Sequence, residues 1–248
     1  MPRIKLAAIN TKAPNGFDKE KTKAKTAKII AELDELQNLL YAQNKHSVLI
    51  IVQGMDASGK DGATRNVFGH LNPQGVNVAS FKAPTAEELN HDFLWRIHKC
   101  VPQKGMVQIF NRSHYEDILI TRVHKMIDDK TAKQRMKAIN DFEELLTQHN
   151  NTHILKFYLH ISPEEQQLRL AERLKDPRKM WKYNENDFSE AKLWDIYRKV
   201  YQDCFNHCNA VPWTITPSDQ NWYKEFIIAD AFYKLLKGLK MQYPGIKK

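Results

Sequence analysis

Residues 46–62 read HSVLIIVQGMDASGKDG, and this stretch decides the fold. Its apolar run, 48–52, has the length and composition of a strand buried on both faces. The residues that follow have the spacing Gly-x-x-x-x-Gly-Lys of a phosphate-binding loop, and a helix is predicted from about 62 to 70. A strand, a phosphate loop and a helix in succession predict an α/β domain that binds phosphate.

The loop is expected to hold phosphate mainly with its backbone. Gly54 and Gly59 permit the backbone angles that turn successive N–H groups inward, and Lys60 adds a positive charge where the helix begins. The predicted phosphate- or nucleotide-binding residues of this segment are Gly54, Ala57, Ser58, Gly59, Lys60, Asp61 and Arg65.

Two carboxylates in this loop, Asp56 and Asp61, would repel a phosphate unless a cation lay between them. Mg²⁺ binds proteins through one or two carboxylates together with phosphate oxygens and water. We therefore expect Asp56 to be a direct metal ligand. Asp61 either binds the metal through water or serves only the helix dipole from the first helical turn, and the sequence leaves both roles open.

Strand-like and helix-like segments alternate along the rest of the chain. Helices are expected at 18–41, from Thr85, from Ser113, from Ser162 and at 220–241, and strands at 76–81, 106–110, 154–161 and 213–216. The expected S/T-x-x-E capping boxes are Thr85–Glu88, Ser113–Glu116 and Ser162–Glu165. This pattern predicts a single domain, 18–248, with a five-stranded parallel sheet covered by helices on both faces. Residues 1–17 are expected to form an extended or mobile arm.

The segment FNRSHYEDILITRVH, 110–124, follows the third predicted strand and places Asn111 and Arg112 at the sheet edge that carries the loop. A guanidinium suits phosphate because it donates two parallel hydrogen bonds. The capping box accounts for Glu116, so Asp117 is the better candidate for a second metal ligand. Candidates for an anionic track, with packing or surface roles favoured for the histidines, are His114, Arg122 and His124.

A basic segment, residues 169–188, predicts a lid. Between Arg169 and Lys182 it carries six basic residues against two acidic ones. Pro177 ends the first helix, because the residue before a proline is driven out of the helical conformation. A helix–break–helix insert at about 165–195 would close over charged phosphates. The nearby aromatic residues Trp181, Trp194, Tyr197 and Tyr201 are interpreted as lid and core packing.

Composition limits the partners and the class of protein. The 248 residues carry a formal net charge of +9, which favours a polyanion such as nucleic acid, acidic lipid or a phosphate-rich substrate. The longest apolar runs are too short to span a bilayer, and no apolar leader is evident, so we expect a cytoplasmic protein without a membrane partner. Three cysteines provide no disulfide framework, and their spacing does not match the usual zinc sites.

Three segments together resemble the family-2 polyphosphate kinases from about residue 18 to 241: GMDASGKDG, FNRSHYED and RLKDPRKMWKYNENDFSEAKLWDIY. The closing VPWTITPSDQNWYKEF is similar too. The resemblance implies a thymidylate-kinase-like P-loop fold with a helical lid, which transfers phosphate from inorganic polyphosphate to an adenine nucleotide. It implies Mg²⁺, with Mn²⁺ as a substitute, held by Asp56 and Asp117, and a homo-oligomer, either dimer or tetramer. The residues that would neutralise phosphates are Lys60, Arg112, Arg173 and Arg178.

The second motif departs from many members of that family, which have Asp-Arg-Ser and Asn-Arg where this chain has Asn111-Arg112-Ser113 and Glu116-Asp117. The departure resembles branches that accept AMP, including those that take both AMP and ADP. We therefore expect reversible phosphorylation of AMP and ADP, with Glu116 and Asp117 both open as the metal ligand. One alternative is an ATP-dependent nucleoside monophosphate kinase. Another is a non-catalytic nucleic-acid-binding protein, which the loop carboxylates disfavour, so no nucleic-acid partner is expected.

Overall fold

Five parallel strands form one sheet in the order β2-β3-β1-β4-β5 in the computed structural model, which describes residues 3–246. The strands are β1 (Ser47–Gln53), β2 (Val76–Ser80), β3 (Val107–Asn111), β4 (Thr152–His160) and β5 (Trp213–Pro217). β1 lies at the centre and is buried along its whole length, since helices cover both faces of the sheet. The predicted α/β class and the five-stranded parallel sheet are confirmed.

Within residues 3–246 the chain forms ten α-helices. They are α1 (Lys19–Gln43), α2 (Lys60–Phe68), α3 (Ala86–Leu89), α4 (Trp95–His98), α5 (Glu116–Val123), α6 (Asp129–Asn150), α7 (Pro163–Lys175), α8 (Glu185–Ala191), α9 (Trp194–His207) and α10 (Asn221–Gly238). α6 is not among the helices expected from the sequence. Its buried Met136, Ile139, Phe142 and Leu146 recur at helical spacing, so the signal for it was present.

Alternate residues of β1 supply two separate apolar cores, one on each face of the sheet. Leu49 and Ile51 pack on one face with buried residues of α5, α6 and α9. Val48, Ile50 and Val52 pack on the other face with α1, α2 and α10. Burial on both faces holds the central strand, and with it the loop that follows, in a fixed place.

The three predicted capping boxes have three different outcomes. Thr85 and Glu88 form the complete reciprocal box at the start of α3. The Ser162 hydroxyl accepts from the Glu165 N–H, but the Ser162 N–H donates to Asp219 at 2.8 Å, so half of that box forms.

The box predicted at Ser113 is wrong. α5 begins three residues later, at Glu116, and its first residues receive no side-chain cap. The Ser113 hydroxyl instead accepts a hydrogen bond from the Gln53 amide at 3.0 Å. The Ser113 hydroxyl also accepts from the Tyr115 N–H at 3.3 Å, so it binds β1 and its own turn rather than the Glu116 N–H, and Glu116 is left without a capping role.

The described part of the N-terminal arm, residues 3–17, makes several contacts with the rest of the domain, and mobility of the arm stays a prediction. The Ile4 N–H donates to Asn206 at 2.8 Å, and the Leu6 N–H donates to Gln202 at 2.9 Å. Leu6 is only 1% exposed and joins the core beneath α9. Residues 1–2 of the predicted arm lie outside the described residues.

The segment predicted as a lid has the expected helix–break–helix form. α7 ends at Lys175, two residues before Pro177, and a 3-10 turn (Met180–Lys182) leads into α8. No helix within residues 3–246 combines the length and the apolarity that a membrane span requires.

Candidate phosphate-transfer site

The register between β1 and β3 brings the loop and Arg112 together. Val52 pairs with Asn111, so the two strands end side by side. The Arg112 N–H donates to the Val52 carbonyl at 3.1 Å, and Arg112 adopts a left-handed backbone conformation with φ of 63°. For a residue other than glycine this conformation costs on the order of 1–2 kcal/mol. Such strain is retained where the surrounding structure imposes it, and functional sites are the usual places.

The loop has the shape of an anion cradle. Ala57 and Gly59 have φ of 60° and 92°, and alternation of right- and left-handed residues turns successive N–H groups toward one point. Within residues 3–246, the backbone N–H groups of Ala57, Gly59 and Lys60 make no hydrogen bond. The buried Ser58 hydroxyl has no partner there either. These groups are the donors that a phosphate would satisfy.

Lys60 begins α2 and closes the loop on itself. Its ammonium donates to the Gly54 carbonyl at 2.7 Å and to the Met55 carbonyl at 3.2 Å. Burial, and then the nearby charge of Arg112, lower the pKa of Lys60 to about 8. The side chain is therefore a cation near neutral pH that a bound anion would stabilise further.

Asp56 is paired with Arg112 rather than with a positive charge of its own loop. The Arg112 guanidinium donates to the Asp56 carboxylate at 2.7 Å. Burial raises the pKa of Glu116, while the charges of Arg112 and Lys60 oppose the rise and that of Asp56 adds to it. Two carboxylates and two cations thus form one electrostatic cluster at the mouth of the loop.

Asp117 faces a different set of charges. Its carboxylate lies 3.5 Å from the Arg96 guanidinium, and its backbone carbonyl accepts from Arg135 at 2.7 Å. Burial raises the pKa of Asp117, against the opposing charges of Arg96 and Arg135. One of the two grounds for preferring Asp117 over Glu116 was a capping box that does not form, and the other, the family resemblance, stays a prediction. The geometry instead favours Glu116 as the partner of Asp56.

Asp61 connects the loop to β3 and to the lid. Its carboxylate accepts from the Asn111 amide at 2.8 Å and from the Lys182 ammonium at 2.7 Å. Burial opposes ionisation, but these hydrogen bonds hold the pKa of Asp61 below its ordinary value. A third role is therefore added to the two that the sequence left open: Asp61 binds a lysine of the lid.

A cavity of about 480 Å³ opens beside this cluster. Asp56, Arg112, Glu116 and Asp117 are among the residues that line it. Its apolar wall, which includes aromatic residues expected to be only packing, contains Phe81, Leu89, Ile120, Met126, Trp194, Tyr197 and Tyr201. The basic residues that line it besides Arg112 are Lys82, Arg96 and Arg135. Acidic, basic and aromatic surfaces within one cavity suit a nucleotide.

Two predicted members of an anionic track do not face the loop. His114 is fully buried, packs beside Phe142 and lies 3.5 Å from Glu143. Arg122 is paired with Asp203 at 2.7 Å and with Asp129 at 3.1 Å. The prediction that these two residues bind phosphate is therefore not supported by their placement.

The remaining predicted basic residues lie on exposed elements. Arg65 is exposed on α2. Arg173 is paired with Asp187 inside the lid, and the side chain of Arg178, paired with Asp176, is 88% exposed. His124 lies 3.0 Å from Glu190 of α8. Contact of Arg173 and Arg178 with phosphate stays a prediction that requires the lid to move.

Three side chains that hold the loop from behind were missed. Gln166 donates to the Asp56 carbonyl at 3.0 Å, Arg169 donates to the carbonyls of Ala57 and Ser58, and Lys224 approaches those of Ser58 and Gly59. Lys224 could have been noticed, because it interrupts the apolar face of α10. Gln166 and Arg169 carry no local signal that separates them from other polar helix residues.

The fold and the loop together define a P-loop α/β protein of the nucleotide-kinase type. Residues 16–244 match the family model described as Polyphosphate kinase 2, so the chain belongs to the polyphosphate kinase 2 family.

Curated relatives and solved structures agree with that family. The AMP/ADP-polyphosphate phosphotransferase of Meiothermus ruber is 46% identical over 86% of this chain and 80% of its own. The ADP-polyphosphate phosphotransferase of Rhodopseudomonas palustris is 40% identical over 87% of this chain and 79% of its own. The crystal structure of polyphosphate kinase 2 from Arthrobacter aurescens TC1 superposes with a TM-score of 0.96 at 40% identity, covering 100% of this chain and 90% of that one.

Proposed function

We propose that the protein transfers phosphoryl groups from inorganic polyphosphate to AMP and ADP. The observation that carries this proposal is the acidic phosphate loop, whose Asp56 is bound by Arg112 in the lining of a cavity of nucleotide size. Membership of the polyphosphate kinase 2 family supports the donor. The Meiothermus ruber relative, an AMP/ADP-polyphosphate phosphotransferase, supports the pair of acceptors.

The two substrates approach the cluster from different sides in this proposal. The loop, with its free N–H groups and Lys60, holds the end of the polyphosphate chain. The nucleotide lies in the cavity, with its base against Trp194 and Tyr197 and its phosphates toward Arg112. The excess of positive charge over the chain, +9, suits a long polyanion.

The residues at the cluster fit a magnesium ion. Among residues 3–246, no group of three or more carboxylates, histidines or cysteines is arranged to hold a metal ion. Mg²⁺ does not require such a group, since it takes one or two carboxylates and completes its octahedron with phosphate oxygens and water. Asp56 and Glu116 would hold Mg²⁺, or Mn²⁺ in its place, and the ion would neutralise charge on the transferred phosphoryl group.

The chemistry needs positioning more than it needs a base. A phosphate oxygen of the nucleotide, already ionised near neutral pH, attacks the terminal phosphorus of polyphosphate, and the bond to the next bridging oxygen breaks. Lys60 and Arg112 stabilise the charge that the equatorial and leaving oxygens carry. The lid, tied to the loop through Lys182 and Asp61, excludes water, which would otherwise compete as acceptor.

The test is ATP formation from long-chain polyphosphate and Mg²⁺, with AMP and ADP offered separately to the purified protein. ATP from ADP, and ADP followed by ATP from AMP, are the expected results, and Lys60→Ala and Asp56→Asn should lose them. Transfer from ATP to a monophosphate, with no use of polyphosphate, would overturn the proposal in favour of an ATP-dependent kinase. A dimer or tetramer, and a cytoplasmic location, stay predictions that light scattering and fractionation would test.

A further inference from the structure

We infer that Arg169 and Lys224 are positioning residues that hold the phosphate loop in its binding conformation from the side opposite the substrate. The inference rests on the proposed function for the identity of the anion. Both side chains act on the carbonyl oxygens of the loop, whereas the bound phosphate would meet its N–H groups.

Arg169 binds four carbonyl oxygens of two different loops. Its Nη1 donates to Ala57 at 3.2 Å and to Ser58 at 3.1 Å. Its Nη2 donates to Ser218 at 2.8 Å and to Asp219 at 3.0 Å, in the segment after β5. The Nε donates to Glu165 one turn earlier in α7, which fixes the plane of the guanidinium. One planar group therefore links the phosphate loop to the end of β5.

Lys224 reaches the next carbonyls of the loop from α10. It is only 1% exposed, and its ammonium lies 3.3 Å from the Gly59 carbonyl and 3.4 Å from that of Ser58. Asn221 accepts from the same ammonium at 2.8 Å. A side chain added at Gly59 would place its Cβ 2.3 Å from the Lys224 ammonium, so it would displace the end of the lysine from the loop carbonyls.

The geometry explains why cations stand at the back of the loop. Turning successive N–H groups inward turns the carbonyls of the same peptides outward, and buried carbonyls need donors. A charged donor on a carbonyl also polarises the peptide N–H on its other side, which strengthens the hydrogen bond that this N–H gives to an anion. Arg169 and Lys224 thus supply positive potential to the cradle without contacting its ligand.

The charge of Lys224 is itself sensitive to what the loop binds. The groups that face it are Arg169 and Glu165 of α7, Lys60 of α2 and Glu225 of α10. Burial, and then the charge of Arg169, lower the pKa of Lys224 to about 7. An anion in the loop would draw a proton onto Lys224, so phosphate binding and the charge behind the loop reinforce each other near neutral pH.

The experiment compares Lys224→Met with Lys234→Met. Both lysines lie on α10, but the side chain of Lys234 is 72% exposed and pairs with Asp230. Amide hydrogen exchange of residues 54–60, measured with tripolyphosphate bound so that the N–H groups of Ala57, Gly59 and Lys60 have an acceptor, reports the loop directly, and calorimetry with tripolyphosphate reports anion binding. In Lys224→Met we expect exchange of the loop amides to accelerate and tripolyphosphate to bind about tenfold more weakly. The KM for AMP should stay unchanged. Lys234→Met should resemble the unaltered protein in every measurement.

Arg169→Lys provides a second, independent variant that keeps the charge but loses the planar fork. We expect it to accelerate exchange at 57–59, and Arg169→Met to accelerate it further. Loop exchange and tripolyphosphate affinity equal to those of the unaltered protein in both Lys224→Met and Arg169→Met would overturn the inference.

Tripolyphosphate binding and amide exchange are measured without catalytic turnover. Failure of this inference can therefore be distinguished from failure of the proposed function. A protein that binds tripolyphosphate but phosphorylates neither AMP nor ADP would overturn the proposed function, while the loop measurements would still decide this inference. In the unaltered protein, tripolyphosphate should bind more tightly at pH 6 than at pH 8.5. The difference should shrink in Lys224→Met, and an equal difference in the two proteins would contradict the coupling of charge to binding.

Discussion

The carboxylate of Asp56 and the guanidinium of Arg112 lie 2.7 Å apart, across the ends of two neighbouring strands. A loop that binds anions can carry a carboxylate because the next strand brings a cation to it. Arg112 keeps that place through a left-handed backbone conformation and a hydrogen bond from its N–H to Val52. The pair therefore holds the acidic loop ready for a metal and a phosphate that would share its charges.

Replacing Arg112 should reduce phosphoryl transfer more than it reduces stability. Arg112→Ala removes a donor from the transferred group and should lower kcat by about 10²–10³-fold. Arg112→Lys, which keeps the charge without the fork, should recover only part of this loss. The rate of ATP formation from ADP measures both, and a melting curve serves as the control. An Arg112→Lys variant as active as the unaltered protein would show that transfer does not require the two parallel N–H donors of the guanidinium.

Glu116 and Asp117 should differ in what their amide variants disturb. Glu116→Gln should raise the Mg²⁺ concentration needed for half-maximal rate, because Glu116 shares the cluster of Asp56. Asp117→Asn should leave that concentration unchanged and lower the free energy of unfolding by about 1–3 kcal/mol, since Arg96 loses one of its two charged partners and keeps only Glu88. Magnesium titrations and urea unfolding of both variants check this assignment. The reverse pattern would restore Asp117 as the metal ligand.

Two glycines three residues apart should respond to alanine in opposite ways. Gly59 has φ of 92° and no room for a Cβ, so Gly59→Ala should impair polyphosphate use and destabilise the fold by about 1–3 kcal/mol. Gly62 has open space around it within the helix, so Gly62→Ala should stabilise by about 0.5–1 kcal/mol. Unfolding curves and initial rates of the two variants provide the comparison. Equal behaviour would argue against the steric account of the loop.

Lys182 should matter for catalysis and hardly at all for stability. Its ion pair with Asp61 is largely exposed, with side-chain exposures of 32% and 62%, and such pairs contribute about 0–1 kcal/mol. Lys182→Ala should nonetheless raise the KM for polyphosphate and increase wasteful hydrolysis, because the lid loses its contact with the loop. Release of free phosphate in the absence of nucleotide measures this hydrolysis of polyphosphate. Lys179→Ala, on the same turn, is the matched control.

Binding of polyphosphate should weaken as the pH rises above the pKa of Lys60. Burial lowers that pKa to about 8 in the unliganded protein, and a bound anion must raise it. Below about 8 the lysine is charged in both forms, so it adds no pH dependence. Above that value a proton is taken up on binding, and affinity falls by at most about tenfold per pH unit for one proton. Calorimetry with tripolyphosphate from pH 7.5 to 10 tests this, and Lys60→Arg should flatten the alkaline part.

Patterns local in sequence predicted most of the fold. The alternation of strands and helices, the loop after β1 and the break at Pro177 are all read from neighbouring residues, and the structure confirms them. The prediction from local sequence failed at Ser113. The S-x-x-E pattern predicted a capping box there, but the Ser113 hydroxyl accepts a hydrogen bond from Gln53, which lies 60 positions away in the chain. A capping pattern indicates which hydrogen bonds a segment can form by itself. Tertiary contacts determine whether those hydrogen bonds form in the folded protein.

The chemical partners of charged residues could not be predicted in the same way. Lys156 is fully buried and binds Glu143 at 2.6 Å and the hydroxyl of Tyr115, the residue before Glu116, at 2.7 Å. In the sequence it is one of many lysines. Burial of a charge on one strand is visible only once the opposing helix, here α6, has been placed.

The support behind the phosphate loop also sets an order of events during synthesis. Lys224 meets the Ser58 carbonyl across 166 positions of the chain, and the arm meets α9 across 196 to 202 positions. Contacts this distant form late, because the intervening chain must first be made and closed into a loop. A nascent chain that already displays GMDASGKDG therefore lacks the structure that shapes it, and the capacity to grip polyphosphate should arise only when α10 docks.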